Sequence, residues 1–196
     1  ISVAFSLCFF TVDAAAQKTK PVTDYLNISG PVVFNKIAYN LSWSSHPAAD
    51  YYKHEYIAKG DIADRYKTMI LFDVITGESN VKAVVSAKVE ELKKIKESNP
   101  IVNYEVFDNQ KSGEYMLDFL ISENKPDGSI NILERNVYRY KSFTDKNGRK
   151  GIVLFGVSTR SYGKDTDAFL ATLKSIKNIL VTAVSQFNIP SISILK

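Results

Sequence analysis

The alternation of apolar and polar residues along the chain predicts a sheet built around one central strand. Residues 151–158 form a near-continuous apolar run, which is typical of a strand buried on both faces. Residues 67–75 carry apolar side chains on both faces and predict a second interior strand. Residues 31–43 alternate strictly from Ile37 onward and predict a strand with one buried face. Residues 51–58 continue in an extended, aromatic pattern.

The second half of the chain predicts an antiparallel meander. Residues 101–107, 114–122 and 130–143 have the pattern of strands, and turn-forming residues separate them from one another and from the central run. In the first half, residues 44–50 are expected to form a loop or a single helical turn, since Pro47 suits a first helical position. Residues 61–66 are expected to form a short helical turn.

Two segments have the periodicity of amphipathic helices. Residues 80–98 carry an apolar stripe, with Lys82, Lys88, Glu91 and Lys94 predicted on the outer side. In residues 165–187 a similar stripe runs from Phe169 to Phe187, widened by Leu170, Ile179 and Ala183. These patterns predict an α+β fold, in which an antiparallel sheet with a meander is packed by two main helices. Both helices then lie on one face, or one lies on each side.

The order of these elements resembles that of the PsbP-like domains of exported and thylakoid-lumen proteins. The resemblance rests on the early strand ending at Trp43, the extended region 56–75, the helix beginning at Val81, the meander and the closing helix. It covers residues 32–187. Such domains are mostly noncatalytic adaptors of larger assemblies, so the resemblance implies an adaptor role.

The start of the chain predicts export. An apolar run over residues 1–12 is followed by Ala14 and Ala16, small residues at the two positions that a signal-peptide cleavage site requires. We therefore expect residues 1–16 to be a truncated signal peptide, residues 17–30 a polar leader, residues 31–190 a single domain and residues 191–196 a tail. The apolar run is too short to cross a bilayer, so no membrane span is expected after cleavage.

The amino-acid composition argues against several classes of function. The only cysteine, Cys8, lies within the expected signal peptide, which excludes disulfides, thiol nucleophiles and cysteine metal sites from the mature protein. An exported domain without cysteine is typical of the bacterial cell envelope, so a periplasmic or extracellular location is expected. The net charge of +4 is mild and the lysines are interspersed with acids, which argues against a nucleic-acid partner.

The two histidines suggest one candidate metal site. His46, Asp50 and His54 are spaced by four residues, and on a continuous helix these residue types would suit a borderline metal. Pro47 and the Tyr51-Tyr52 pair argue against one helix through all three positions. The alternative is that both histidines are solvated loop residues.

Charged residues inside the predicted strands suggest a candidate acid. The strand period places Glu134 on one face of the strand 130–143, and Arg135 and Arg139 on the other. Glu134, with Asp118, has the chemistry of a general acid. The alternative is that Glu134 pairs with an arginine on an adjacent strand or lies on the solvated side of the sheet.

A ligand or partner surface is the remaining candidate. Aromatic residues with polar tips are frequent at binding surfaces, and they concentrate in the first third of the chain. The residues assigned to this surface are Trp43, Tyr52, Tyr56, Glu134, Arg135, Arg139 and Arg160.

The sequence lacks motifs for the common catalytic and cofactor sites. It contains no phosphate-binding loop, dinucleotide glycine fingerprint or HExxH helix, and Ser158 lacks the second glycine of a nucleophile elbow. We expect no cofactor and predict a noncatalytic binding or scaffold protein of the bacterial cell envelope, with an envelope protein or a small ligand as partner. The alternative is a small envelope hydrolase or metal-binding enzyme that uses Glu134 and Asp118, or His46 and His54.

Overall fold

Eight antiparallel strands form one sheet in the computed structural model, which describes residues 22–28 and 30–195. In chain order the strands are β1 (Val32–Phe34), β2 (Ile37–Ala48), β3 (Tyr51–Ala58), β4 (Thr68–Thr76), β5 (Asn103–Asn109), β6 (Glu114–Asn124), β7 (Ile130–Thr144) and β8 (Lys150–Tyr162). Their order in the sheet is β1-β2-β3-β4-β8-β7-β6-β5. The apolar run 151–158 therefore lies in the middle of the sheet, between β4 and β7, as its pattern predicted.

Two long helices accompany the sheet, α1 (Val81–Ser98) and α2 (Thr166–Gln186). The prediction of an α+β fold with an antiparallel sheet is confirmed, although strand residues outnumber helix residues. α1 carries the chain from β4, in the middle of the sheet, to β5 at its edge. The meander β5-β6-β7-β8 then returns to the centre and pairs β8 with β4.

α1 packs on one face of the sheet through residues spaced three or four positions apart. Its buried residues are Val81, Val85, Lys88 and Leu92, and the core beneath includes Leu117, Phe119 and Leu154. The prediction that Lys88 faces outward is wrong, because Lys88 falls within this stripe and is only 2% exposed. Its ammonium reaches Glu91 Oε1 at 2.9 Å and lies 5.6 Å from the centre of the Phe119 ring.

α2 contributes to the core on the opposite face. The residues that pack there are in its C-terminal half, including Leu180, Val181 and Val184, and Phe187 at the helix end stacks on Phe155 with a centroid distance of 4.1 Å. The expected apolar stripe is only partly buried, since Ile179 is 66% exposed.

Residues 22–28 and the end of the chain form part of the core, contrary to the prediction of a polar leader and a tail. Leu26, Ile28, Ile192 and Ile194 are buried on the α2 side of the sheet. The two segments pair with each other through hydrogen bonds from Ser193 N to Leu26 O (2.9 Å) and from Leu195 N to Tyr25 O (3.0 Å). Their apolar residues were too few to form a periodic pattern, but they suffice to cover the sheet beside α2.

Residues 44–50 are not a loop or a helical turn. β2 continues to Ala48, and two shifts in its pairing with β3 accommodate the extra residues. Pro47 is tolerated there because β1 pairs only with the start of β2, which leaves the rest of β2 at the edge of the sheet. Residues 61–66 are also not helical, and Ile62 and Arg65 form an isolated bridge instead.

The expected signal peptide, residues 1–16, lies outside the described residues, as does most of the expected leader. Within the part of the chain that the structure covers, no single helix has the length and apolar character of a membrane span. The segments Gly163–Leu173 and Ser175–Gln186 meet these criteria only when they are combined across a bend of 81°.

Candidate functional site

A row of mixed side chains crosses β2, β3 and β4 on the α1 side of the sheet. Trp43 pairs with Glu55, Glu55 pairs with Leu71, and Lys53 pairs with Asp73 in the adjacent row. The β-bulge between Leu41 and Trp43 brings the indole to the same side as Glu55. We call these five residues, Trp43, Lys53, Glu55, Leu71 and Asp73, the open strip. α1 contacts mainly β5, β6 and β7, so it leaves this end of the face without a helix.

Glu55 is the partly exposed acid of the open strip. No hydrogen bond to its carboxyl group is found among the described residues, although Ser42 Oγ donates to its backbone carbonyl oxygen (3.1 Å). Burial raises the pKa of Glu55 to about 7, with Lys53 opposing this shift and Asp73 adding to it. Glu55 therefore exchanges a proton near neutral pH, which an ordinary surface glutamate does not do.

Asp73 is the buried acid of the open strip, with 5% of its surface exposed. The Tyr51 hydroxyl donates to Oδ2 at 2.7 Å, whereas Oδ1 has no hydrogen-bond partner in the described part of the chain. Burial raises the pKa of Asp73, and Lys53 and the Tyr51 hydrogen bond oppose the shift. A buried carboxyl oxygen without a partner costs about 1–3 kcal/mol, so this atom indicates a place where a water or ligand donor is missing.

The floor of the strip continues across β8 and β7. Leu71 pairs with Gly156, and Gly156 pairs with Tyr138. A Cβ atom at Gly156 would lie 2.9 Å from the Tyr138 ring, so glycine allows the ring to lie close against β8. The row thus runs from Trp43 through Glu55 and Leu71, then across the buried Gly156, to the partly exposed Tyr138.

Glu134 lies on the same face of the sheet as the open strip, but in a separate hydrogen-bond network in which both of its carboxylate oxygens are paired. Its Oε2 accepts from the Tyr66 hydroxyl (2.8 Å) and from Arg160 Nε, and its Oε1 accepts from Asn136 Nδ2 (2.9 Å). The Arg160 guanidinium also lies 4.3 Å from the centre of the Tyr66 ring. These contacts attach the segment before β4 to the sheet. Both Glu134 oxygens accept hydrogen bonds, so Glu134 matches the predicted structural pair with an arginine and not the predicted general acid.

Arg135 and Arg139 lie on the other face, as the strand period predicted, and both hold α2. Arg135 binds both carboxylate oxygens of Asp118 (3.0 and 2.9 Å) and donates to the backbone carbonyl of Lys177 (2.9 Å). Arg139 donates to Glu114 (2.8 Å) and to the Phe187 carbonyl (2.9 Å). These arginines are therefore positioned to bind helix α2, which leaves them poorly placed for an external partner.

The predicted metal ligands do not converge. His54 is buried, its Nε2 accepts from Tyr25 N (3.1 Å), and its Nδ1 lies 3.1 Å from the Tyr56 hydroxyl, so both ring nitrogens are engaged. His46 stacks on Tyr52 with a centroid distance of 4.1 Å, and its Nδ1 is 2.9 Å from the Tyr51 carbonyl oxygen. Asp50 occupies the exposed β2–β3 turn. In the described ranges, no three His, Cys, Asp or Glu side chains lie close enough to hold a metal ion.

A depression of about 590 Å³ lies between the β1–β2 turn and α2, away from the open strip. Val33, Phe34, Ile179 and Phe187 contribute its apolar lining. The polar groups around it are the amides of Asn35, Asn178 and Gln186 and the hydroxyl of Thr182, without an acid or a base. Its chemistry does not suit acid–base catalysis.

Of the predicted ligand surface, the structure keeps two residues near the open strip. Trp43 belongs to the strip, and Arg160, partly exposed, contributes to the charge around Glu55. Tyr52, Tyr56, Glu134 and Arg135 are buried, and Arg139 is engaged with α2. Glu55 and Asp73 were not among the site residues predicted from the sequence. Asp73 is a charged residue in an otherwise apolar interior strand, and that exception was the signal that could have identified it.

Comparison with known proteins identifies a family for the chain but gives no function. No curated protein and no solved structure matches it significantly. A protein-family model matches residues 26–189, a range that contains all eight strands, both long helices and the open strip. The chain therefore belongs to the family that this model describes.

Proposed function

We propose that this protein is an exported, noncatalytic binding protein of the bacterial cell envelope, and that the open strip is its binding surface. The observation that carries the proposal is the set of polar groups on the strip that have no partner within the described chain. The Glu55 carboxyl and Asp73 Oδ1 accept no hydrogen bond there, and Trp43 lies beside them, partly exposed. Buried or half-buried polar groups are normally paired, so unpaired ones on one surface favour a ligand.

A catalytic role for the predicted acids has less support. Asp118 and Glu134 lie on opposite faces of the sheet, and each is paired with an arginine. His54 is enclosed by Tyr25 and Tyr56, so the second predicted pair has only one exposed histidine, His46, whose ring stacks on Tyr52. The adaptor role implied by the PsbP-like order of elements and the export predicted from residues 1–16 agree with a binding function, and both belong to the proposal.

Site-specific cross-linking in cells tests this proposal. The chain from residue 17 onward is fused to a complete bacterial signal peptide, and a photo-reactive phenylalanine analogue replaces Lys53 on the strip. A matched variant carries the analogue at Lys111, which is exposed in the β5–β6 turn far from the strip. We expect the protein in the periplasmic fraction and light-dependent adducts at position 53 that are absent at position 111.

Two results would contradict the proposal. Retention of the fusion in the cytoplasm would remove the envelope assignment, if a control protein carrying the same signal peptide is exported. Equal adduct formation at positions 53 and 111 would show that the open strip is not a binding surface.

A further inference from the structure

The unpaired groups of the open strip have mixed hydrogen-bonding character. Asp73 Oδ1 is an acceptor, and the Glu55 carboxyl, which titrates near neutral pH, is both a donor and an acceptor when protonated. The Lys53 ammonium is a donor and makes no ion pair with the described residues, although it lies 5.9 Å from the centre of the Tyr51 ring. The Trp43 indole N–H is a further donor, with no hydrogen-bond acceptor in the described part of the chain.

The charges around the strip disfavour an ionic ligand. An organic cation would meet Lys53, whereas an anion would meet the ionised form of Glu55 with the buried Asp73 beside it. Desolvating a charge beside a like charge is costly. A neutral ligand with hydroxyl groups avoids both problems, because each hydroxyl can donate to a carboxyl oxygen and accept from an ammonium or an indole N–H.

The strip also offers flat apolar surfaces beside its polar groups. Trp43 is partly exposed and makes no contact with another aromatic ring of the described chain. Leu71 and Tyr138, also partly exposed, extend the surface across β4 and β7. An apolar surface with a few fixed polar groups suits a ligand that has a C–H face and hydroxyl edges.

We propose that the open strip binds a neutral saccharide, with a sugar ring against Trp43 and its hydroxyls bonded to Glu55 and Lys53. This assignment rests on the proposed function, since it names the ligand class of the same surface. Glu55 and Lys53 are partly exposed at the surface of the strip, and Asp73 lies buried beside them with its Oδ2 held by the Tyr51 hydroxyl.

The fluorescence of Trp43 provides a direct test, because it is the only tryptophan in the chain. The chain from residue 17 onward is titrated with cello-, malto- and N-acetylated chito-oligosaccharides of about three to six units, all of which are neutral. Choline chloride and inorganic phosphate serve as charged probes. We expect a saturable change in emission with a neutral oligosaccharide and none with the charged probes.

Calorimetry on variants then assigns the binding to the strip. Glu55→Ala and Trp43→Leu are each expected to weaken saccharide binding by at least about tenfold, since each removes a contact worth more than about 1.4 kcal/mol. Glu97→Ala is the matched control, because Glu97 is exposed on α1. Its affinity should equal that of the unmodified chain. Thermal unfolding of each variant shows whether it is folded.

The outcomes of these experiments test the saccharide assignment separately from the proposed function. Failure of all oligosaccharides to bind at millimolar concentration, or binding unaffected by Glu55→Ala and Trp43→Leu in folded protein, overturns the saccharide assignment. Binding of choline or phosphate through the same two residues also overturns it, while leaving the open strip as a binding surface. Adducts at position 53 in cells, combined with no saccharide binding, would separate the two proposals in the same way.

Discussion

At the scale of single residues, the open strip contains two acids whose burial lowers the stability of the folded chain. Asp73 and Glu55 are acids placed where burial disfavours their charged forms, and neither carboxyl group is fully hydrogen-bonded by the described chain. With an apolar or amide residue at either position, the chain would fold with a smaller desolvation penalty. Residues that cost stability in this way are frequent at functional sites, so the energetic penalty itself supports a binding role.

The Glu55→Gln variant should be more stable than the unmodified chain at alkaline pH. The folded-state pKa of Glu55 is raised from 4.5 to about 7, so folding becomes less favourable as the pH rises through this window and the unfolded chain ionises first. Glutamine removes that penalty. After allowance for solvent screening of a half-buried group, we expect the variant to gain about 1–2 kcal/mol in the free energy of unfolding at pH 8.

Urea unfolding at pH 5 and pH 8 measures this difference. The gain should shrink toward zero at pH 5, because Glu55 is then largely protonated in the folded chain and the unfolded chain is only partly ionised. The exposed Glu97→Gln variant should match the unmodified chain at both pH values. A Glu55→Gln variant that loses stability at pH 8 would mean that Glu55 makes a stabilising charged interaction.

His54 should produce the opposite pH dependence. Burial lowers its pKa from 6.5 to about 4, with Asp24 opposing the shift, so the unfolded chain takes up a proton at higher pH than the folded chain. Stability that is complete above pH 6.5 is therefore lost as the pH falls toward 4. The loss attributable to this residue is roughly 3 kcal/mol. Protonation also converts Nε2 from the acceptor of the Tyr25 N–H into a second donor.

Comparison of two histidine variants isolates this effect from the titration of carboxylates. Between pH 7 and pH 4, His54→Asn should lose less unfolding free energy than the unmodified chain, although it starts from a lower value because the Tyr25 contact is changed. His46→Asn, at an exposed position, should follow the unmodified profile. Parallel profiles for all three proteins would show that His54 titrates normally.

At the scale of elements, the sequence predicted what periodicity can encode. The central strand, the interior strand β4, the helix α1 and the meander all carry regular patterns, and the structure has them where those patterns lie. Periodicity did not reveal that Lys88 is buried, because its long side chain can occupy an apolar stripe while its ammonium reaches Glu91. It also did not predict the extension of β2 through Pro47, which depends on an unpaired sheet edge.

The contribution of the C-terminal segment can be measured with two adjacent residues. Ile194 is 2% exposed in the core beside Leu26, whereas Leu195 is 51% exposed. Ile194→Ala should lower the free energy of unfolding by about 2–4 kcal/mol, because it leaves a cavity against the sheet. Leu195→Ala should change it by less than about 0.5 kcal/mol. Urea unfolding of both variants would contradict this packing if the two losses were equal.

At the scale of the whole molecule, the candidate site depends on contacts that a linear pattern does not contain. Trp43 was identified from its residue type, but its position beside Glu55 results from a β-bulge and from the β2–β3 register. Asp73 and Lys53 meet only through the pairing of β3 with β4. The arginines were assigned to the correct faces, whereas their role in holding α2 required the path of the last helix.

The layered arrangement predicts an order of local stability across the sheet. β4 and β8 are flanked on both sides by other strands and are largely buried on both faces, whereas β5 is an edge strand with mostly exposed residues. Amide hydrogens in the middle of β4 and β8 should therefore exchange only through global unfolding. Those of β5 should exchange through local opening, at least about a hundredfold faster, which corresponds to about 2.7 kcal/mol.

Hydrogen exchange followed by mass spectrometry on peptides from β5 and β8 measures this order directly. The comparison is internal, because both strands belong to one sheet in one sample. Protection of β5 equal to that of β8 would contradict the exposed edge and would indicate that another chain covers it. Repeating the exchange in the presence of a ligand extends the test to the site. A ligand on the open strip should slow exchange in β2 and β3, whereas β5, at the opposite edge of the sheet, should be unaffected.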